Sequence, residues 1–118
     1  MQQRPKFSRY NDGVVFIYRD TDRRSNFGAK LNAKTLDDLN FIAKLSYAVQ
    51  SKRQQDMDFA EQMGFSLEMK IKTRFIKGVD TKCKVVIDNY LYDVSYVDAT
   101  RTELYFYLQG VGELAATN

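Results

Sequence analysis

The sequence contains no histidine, no tryptophan and only one cysteine, Cys83, among its 118 residues. Without histidine the chain cannot build a Ser–His or Cys–His nucleophile pair, and a zinc site made from cysteine and histidine is excluded. A lone cysteine cannot form an intramolecular disulfide, which is typical of a reducing compartment such as the cytoplasm. We therefore predict a protein that is not an enzyme and that has no metal and no cofactor.

Long apolar segments are missing as well. No apolar run approaches the roughly 18 residues that indicate a membrane span, and the cationic first ten residues lack the apolar segment of a secretory signal. We expect no membrane partner. The net charge of +3 is too small to indicate a nucleic-acid-binding protein by itself. The length predicts a single domain, residues 1–118, which can bury a core without disulfides.

The chain is rich in features that favour β-strands. It has eight tyrosines and eight phenylalanines, which pack well on a pleated surface. The stretch FSLEMKIKTRF, residues 65–75, alternates apolar and polar residues in the manner of a half-buried strand. Similar patterns occur over residues 14–18, 40–52, 82–87, 90–97 and 103–110. Residues 35–50 could alternatively form a helix, since Thr35, Asp37 and Asp38 are suitable caps.

One segment differs in kind. Residues 53–64 are rich in helix-forming residues, with Met57, Ala60 and Met63 spaced to form one apolar face and Gly64 placed to end a helix. Residues 21–38 are polar and turn-rich, which predicts a long loop, and the end from Glu113 is expected to be disordered. The fold class is therefore mainly β: a small antiparallel barrel of about six strands with one short inserted helix and long loops. We expect its last four strands to form a meander.

Alternation also predicts which side chains form the core. Cys83 stands between two lysines, so it is expected to point inward as a small hydrophobe. The other predicted core residues are Leu67, Met69, Ile71, Val85, Ile87, Val94 and Leu104.

Five cations gather on one inferred sheet face. If strand 65–76 pairs with strand 82–88 as a hairpin, the cations share that face, although like charges opposed across strands destabilise a sheet. Three candidates could compensate: solvent and salt, a nucleic acid whose bases stack on neighbouring tyrosines, or acidic groups of another chain. Net charge alternates in sign along the sequence, which suits contact between copies, so we predict that the five cations contact acidic groups of an adjacent subunit or partner protein. The five are Lys70, Lys72, Arg74, Lys82 and Lys84.

Asp56, Asp58 and Glu61 form a small acidic group on the predicted helix. Paired carboxylates can serve acid–base catalysis, but helical geometry directs Asp56 and Asp58 about 200° apart. A solvated helix face is the favoured interpretation.

The order of these patterns resembles a known family. Residues 43–75, AKLSYAVQSKRQQDMDFAEQMGFSLEMKIKTRF, and 84–110, KVVIDNYLYDVSYVDATRTELYFYLQG, look like the head-closure or head–tail adaptor (joining) proteins of long-tailed bacteriophages. The resemblance lies in the strand leading into a Gln/Glu/Ala-rich segment, the strand ending in Lys/Arg and the VVxxxxLYxV hairpin. It implies a structural connector component that closes the DNA-filled head and docks the tail.

The resemblance also implies partners and places. Such proteins form rings, usually of about twelve copies, between a portal-bound adaptor protein and a tail-terminator or tail protein, with packaged DNA passing through. The chain would then belong to the virion, assembled in the host bacterial cytoplasm. Residues 21–38 would contact a neighbouring subunit, through Arg23, Arg24, Asn26 and Phe27. The segment 50–64 would face the channel, through Lys52, Arg53, Gln54, Gln55, Asp56, Asp58 and Glu61.

The channel-facing segment departs from a DNA clamp, because its carboxylates would repel phosphates rather than bind them. Two alternatives stay open. One is a tail-terminator or other neck protein of similar fold. The other, from a different class, is a small OB-like or Sm-like barrel that binds nucleic acid.

Overall fold

The computed structural model describes residues 10–20 and 39–114. Within them six antiparallel strands close into a barrel in the spatial order β1-β2-β3-β6-β5-β4. The strands are β1 (Gly13–Asp20), β2 (Leu39–Gln50), β3 (Met69–Arg74), β4 (Cys83–Ile87), β5 (Tyr90–Ala99) and β6 (Glu103–Glu113), and helix α1 (Gln54–Met63) follows β2. The predicted mainly β class, an antiparallel barrel of six strands with one short inserted helix, is confirmed. The alternative of a helix through residue 50 is wrong, because residues 39–50 form β2.

The barrel is filled by the inward-facing residues of all six strands. Ile71, Val85, Ile87, Val94 and Leu104 lie in this core with at most 4% of their surface exposed, as predicted. Cys83 is also in it, 1% exposed. Met69 is only partly buried but packs against the same core. Leu67 is buried in a separate cluster outside the barrel, so its assignment to this core was wrong.

Strand neighbours differ from the predicted meander. β3 lies between β2 and β6, while β4 lies between β1 and β5, so β3 and β4 do not pair. The reason is the eight-residue connection 75–82, which crosses one end of the barrel instead of making a tight turn. Its first residue, Phe75, donates a backbone hydrogen bond to the carbonyl of Thr102 in the β5–β6 turn (2.9 Å). The hairpin of strands 65–76 and 82–88 was therefore wrong.

The strand predicted to start at Phe65 also begins later, at Met69. Residues 65–68 run outside the barrel, where the Glu68 N–H donates to the carbonyl of Leu108 (2.9 Å). Leu67 turns from this segment towards α1 rather than into the barrel. The alternation in residues 65–75 thus spans two packing environments.

Local turn chemistry is as the sequence indicates. Asp88 and Asn89 have φ of 51° and 64°, the left-handed geometry of a tight two-residue hairpin, and they join β4 to β5. The expected disorder from Glu113 was wrong for two residues: Glu113 ends β6, and the Leu114 N–H donates to the carbonyl of Asn89 (3.0 Å).

The predicted loop 21–38, with Arg23, Arg24, Asn26 and Phe27, lies outside the described residues. In the part of the chain that the structure describes, α1 is too short to cross a membrane.

Candidate functional site

Helix α1 lies on the outer face of β3 and β6, and both of its ends are fixed locally. At its start the carboxylate of Asp56 accepts a hydrogen bond from the backbone N–H of Arg53 (3.0 Å), which satisfies a donor that the helix leaves unpaired. At its end Gly64 takes a left-handed conformation with φ of 81°, and the Phe65 N–H donates to the carbonyl of Ala60 (3.0 Å). The predicted glycine stop is confirmed.

The helix does not present the face that its methionines suggest. Met57 and Met63 are 41% and 60% exposed, so the predicted apolar face was wrong apart from Ala60. The inward face consists of Asp56, Phe59 and Ala60, spaced three and four residues apart. Ala60 packs with Leu67 and Tyr107 in a small cluster between the helix and the barrel. We call the surface of β3 and β6 under α1 the helix-covered face.

A buried ion pair is the centre of the helix-covered face. Lys70 Nζ lies 3.2 Å from both Oδ1 and Oδ2 of Asp56, and the two side chains are only 6% and 5% exposed. The Tyr107 hydroxyl donates to Asp56 Oδ1 at 3.2 Å, and its ring centroid lies 5.0 Å from Lys70 Nζ. Every member of this cluster is therefore satisfied inside the chain.

This cluster corrects two predictions. Asp56 is not part of a solvated acidic face, because it is the one carboxylate of α1 that turns inward. Lys70 does point outward from β3, as alternation requires, but α1 covers the barrel at that point. Both side chains are therefore almost fully covered, and each is engaged by the other instead of by solvent.

The surroundings of Asp56 favour its charged form. Burial by itself raises the pKa of this carboxyl. The backbone N–H of Arg53 and the ammonium of Lys70 stabilise the carboxylate more strongly, so the pKa lies below its ordinary value of 3.8. Burial raises the pKa of Tyr107, which keeps its hydroxyl a proton donor to Asp56.

The other predicted contact cations do not share one face. Lys72 is on β3, 3.6 Å from the Glu103 carboxylate, which also accepts hydrogen bonds from the hydroxyls of Tyr10 (2.8 Å) and Tyr105 (3.2 Å). Lys84 is on β4, where it forms ion pairs with Asp93 and Asp20. These lysines neutralise carboxylates of their own chain, so the inferred five-cation face was wrong.

Arg74 and Lys82 lie at the same end of the barrel. β3 ends at Arg74, and Lys82 immediately precedes β4, so both are at the barrel end that the connection 75–82 crosses. Two further exposed cations, Lys77 in that connection and Arg101 in the β5–β6 turn, lie at the same end. None of the four makes a salt bridge with the residues described. We call this the basic end.

Two carboxylates at the basic end form ion pairs with cations other than these four, whereas a third, Asp98 on β5, is exposed. Asp80 lies 3.4 Å from Arg19, and Asp20 lies 3.9 Å from Lys84. Among the described residues none of the four exposed cations has a carboxylate within 4 Å, although Lys82 is near enough to Asp80 to help lower the pKa of that carboxyl. Sequence reasoning missed Lys77 and Arg101, because their proximity follows from the direction of each strand and not from alternation.

The opposite end of the barrel carries the reverse charge. There β1 begins, β4 turns into β5, β6 ends and α1 is attached. Lys52 and Arg53 are the exposed cations near α1. We call this the acidic end, and its exposed carboxylates are Asp12, Asp58, Glu61, Glu68, Asp88 and Glu113.

The segment predicted to face a channel forms part of the acidic end. Apart from Asp56, its named residues are exposed. The Lys52 ammonium donates to the backbone carbonyl of Glu68 (3.2 Å), and the Gln54 side chain donates to Asp58 Oδ1 (2.9 Å). Gln55 and Glu61 are exposed on the helix. A polar cavity of about 480 Å³ lies beside Gln55 at the edge of the helix-covered face, and Asp56, Lys70 and Tyr107 are part of its lining.

An apolar groove opens at the basic end. β4 pairs with β5 only as far as Asp93, so Tyr96–Ala99 are paired with β6 alone among the described strands. Ala99 faces inward opposite Leu104 and yet is exposed. The groove has a volume of about 440 Å³ between this half of β5 and the connection 75–82. Its apolar lining includes Phe75, Ile76, Val79, Val97, Ala99 and Leu104.

No protein-family model matches this chain, and no curated protein matches it either.

Proposed function

We propose that this protein is a structural component of the connector between the head and tail of a long-tailed bacteriophage, and that it is not an enzyme. Copies of the chain form a ring between a portal-bound adaptor protein and a tail-terminator or tail protein. The ring closes the filled head, provides the tail docking surface and lets packaged DNA pass. The protein belongs to the virion and is assembled in the host bacterial cytoplasm.

The observation that carries this proposal is the separation of charge along a small closed barrel. Four exposed cations that form no salt bridge with a described residue lie at one end, and six exposed carboxylates lie at the other. Complementary ends favour ordered contact with other copies or with charged partner proteins. A structural subunit needs such surfaces more than it needs a reactive centre.

The buried ion pair beneath α1 also supports a structural role. Among the described residues, Asp56 and Lys70 are the buried charged ones, and they neutralise each other with help from Tyr107. Both line the polar cavity at the edge of the helix-covered face, but their side chains are only 5% and 6% exposed and their polar groups are already engaged with each other. The arrangement positions a helix on a barrel.

The exposed side of α1 suits a smooth passage for DNA. Asp58 and Glu61 are exposed on it, and carboxylates repel the phosphate backbone. If α1 lines the channel, DNA is not retained by it. The DNA can then leave through the tail without breaking contacts with α1.

The test is deletion of the encoding gene from its phage, followed by complementation with a plasmid copy. We expect DNA-filled heads and separate tails that fail to join, with joining restored by the wild-type chain. Immunogold labelling of complete virions should place the protein at the head–tail junction. Normal virions from the deletion strain would refute the connector function.

A tail-side neck role is a second candidate within the same assembly. The position of the label decides between the head-closure role and the tail-side role. A tail-terminator remains bound to the free tails that are isolated from a phage lacking its head-closure gene. Detection of this protein on such free tails would favour the tail-side role.

A nucleic-acid-binding barrel is favoured by one observation. Tyrosine rings lie beside the lysines of β3: Lys70 Nζ is 5.0 Å from the ring centroid of Tyr107 on β6, and Lys72 Nζ is 5.9 Å from that of Tyr10, which precedes β1. However, Lys70 is buried, and Lys72 already pairs with Glu103. The barrel is also closed and six-stranded, whereas an OB fold is five-stranded and partly open. Tight DNA binding that weakens steeply with salt would support this alternative.

A further inference from the structure

We propose that the apolar groove at the basic end binds the exposed side of helix α1 from a second copy of the chain. This contact rests on the proposed function for its role in a ring. The contact itself is a property of the isolated protein and can be tested without a virion.

The groove has the character of a recognition site for an apolar side chain. Phe75 at its edge is 38% exposed, and Ile76, Val79 and Val97 are only partly buried. These side chains lie around a space of about 440 Å³. Apolar side chains that stay in contact with water gain stability when a partner covers them.

The rim of the groove selects the charge of the partner. Lys77 and Asp80 are both part of the groove wall, and Asp80 is already paired with Arg19 at 3.4 Å. Arg74 and Lys82 flank the connection that forms the wall, and Arg101 lies in the turn joined to it by the Phe75–Thr102 hydrogen bond. Since none of these cations forms a salt bridge with a described residue, the favoured partner is acidic as well as apolar.

Helix α1 of another copy offers this combination. Met57 is 41% exposed on the outer side of the helix, where a flexible thioether can adapt to an irregular apolar groove. Glu61 lies one helical turn from Met57, and Asp58 is adjacent. Neither carboxylate pairs with a cation of its own chain in the part that the structure describes.

The positions of groove and helix determine the kind of assembly. The groove is at the basic end of the barrel and α1 is at the acidic end, so two copies meet through different surfaces. Such a contact is heterologous, and repeating it produces a closed ring or an open filament. The ion pairs at the rim are exposed, and therefore individually weak and sensitive to salt.

Two double variants test the contact by reversing charge. One is Lys77→Glu/Arg101→Glu at the groove, and the other is Asp58→Lys/Glu61→Lys on the helix. Sedimentation velocity should show association of the wild type at high concentration and low salt. Each variant alone should associate at least tenfold more weakly, because its groove and helix repel. An equimolar mixture should associate again, because each groove then meets a helix of opposite charge.

Two single-residue variants with the same change of charge control for the effect of total charge. Glu61→Lys should weaken association, while Glu113→Lys, an exposed glutamate at the same end but outside α1, should leave it unchanged. Circular dichroism of all variants should match the wild type. Equal loss by both single variants would mean that net charge, and not this contact, governs association, and would overturn the proposal.

Carbodiimide crosslinking of mixed ¹⁴N and ¹⁵N protein locates the contact. We expect intermolecular crosslinks from Asp58 or Glu61 to Lys77 or Lys82. A wild type that stays monomeric at millimolar concentration, or crosslinks confined to other pairs, would overturn the proposal. Binding of DNA or of an unrelated acidic peptide in the groove, without self-association, would do the same.

These outcomes separate the contact from the function. Copies that associate through the groove but are absent from virions refute only the connector role. A virion connector whose copies crosslink elsewhere refutes only the contact.

Discussion

Lys70 Nζ is 3.2 Å from both carboxylate oxygens of Asp56, which joins the inserted helix to the barrel wall through a buried ion pair. Burying two charges costs about as much as their attraction returns, so such a pair is weak as a source of stability. Its effect is to define position. The observed placement of α1 on β3 satisfies both charges and the Tyr107 hydroxyl.

Removing one partner of this pair should be costly. Asp56→Ala leaves the Lys70 ammonium buried without its counterion, and we expect a loss of about 3–5 kcal/mol in the free energy of unfolding. Denaturant titration followed by circular dichroism measures it. Asp58→Ala, an exposed neighbour on the same helix, should stay within about 0.5 kcal/mol of the wild type. Asp56→Ala/Lys70→Met should recover a large part of the loss, and a double variant as unstable as the single one would contradict the pairing.

The same pair predicts a dependence on pH. The folded pKa of Asp56 lies below its ordinary value of 3.8, so its stabilising contribution is complete above that value and disappears as pH falls through the folded pKa. Asp80 acts in the same direction, because the Lys82 backbone N–H lowers its pKa. Unfolding of the wild type and Asp56→Asn should therefore be compared from pH 7 to pH 2.

We expect the wild type to be more stable than Asp56→Asn at neutral pH and the difference to narrow in acid. Asp58→Asn serves as the control and should follow the wild-type curve. If the difference in the free energy of unfolding between the wild type and Asp56→Asn stays constant down to pH 2, the carboxylate is not stabilised by its surroundings.

The barrel core should respond to truncation. Ile71 is 0% exposed at the centre of β3, and Ile71→Ala should cost about 2–5 kcal/mol through lost burial and a residual cavity. Val49→Ala on β2 removes a side chain that is 50% exposed and should cost far less. Thermal or denaturant unfolding compares the two. Similar midpoints for both variants would show that the assigned register of β3 is wrong.

The single thiol should report on unfolding. Cys83 is 1% exposed, and burial raises its pKa, so the reactive thiolate is scarce in the folded protein. We expect slow labelling by iodoacetamide at pH 8 and fast labelling in denaturant. Rapid labelling of the folded protein, at the rate of a free peptide thiol, would contradict the closed barrel around this residue.

Much of the fold follows from local patterns in the sequence. Alternation locates the strands, Gly64 ends the helix and Asp88 with Asn89 makes the hairpin, because each depends on neighbouring residues. The pairing of strands does not follow from local patterns. β1 pairs with β4 because the barrel closes, and nothing near residues 13–20 specifies that partner.

The candidate site, too, could be predicted only where it depends on neighbouring residues. Helical geometry correctly separates Asp56 from Asp58, yet it cannot say which of the two faces the barrel. That choice depends on Lys70 and Tyr107, which are 14 and 51 residues away along the chain. The basic end depends likewise on which strands run in the same direction, so its cations looked unrelated in the sequence.

The pairing of β1 with β4 also has a consequence for how the chain folds. Phe16 meets Val86 across that seam, so the barrel cannot close until both distant parts of the chain are present. Contacts of this sequence separation must overcome a large loop-closure entropy before they contribute stability. Folding should therefore be slow for a chain of this size, and both seam strands stay open to wrong partners until the seam forms.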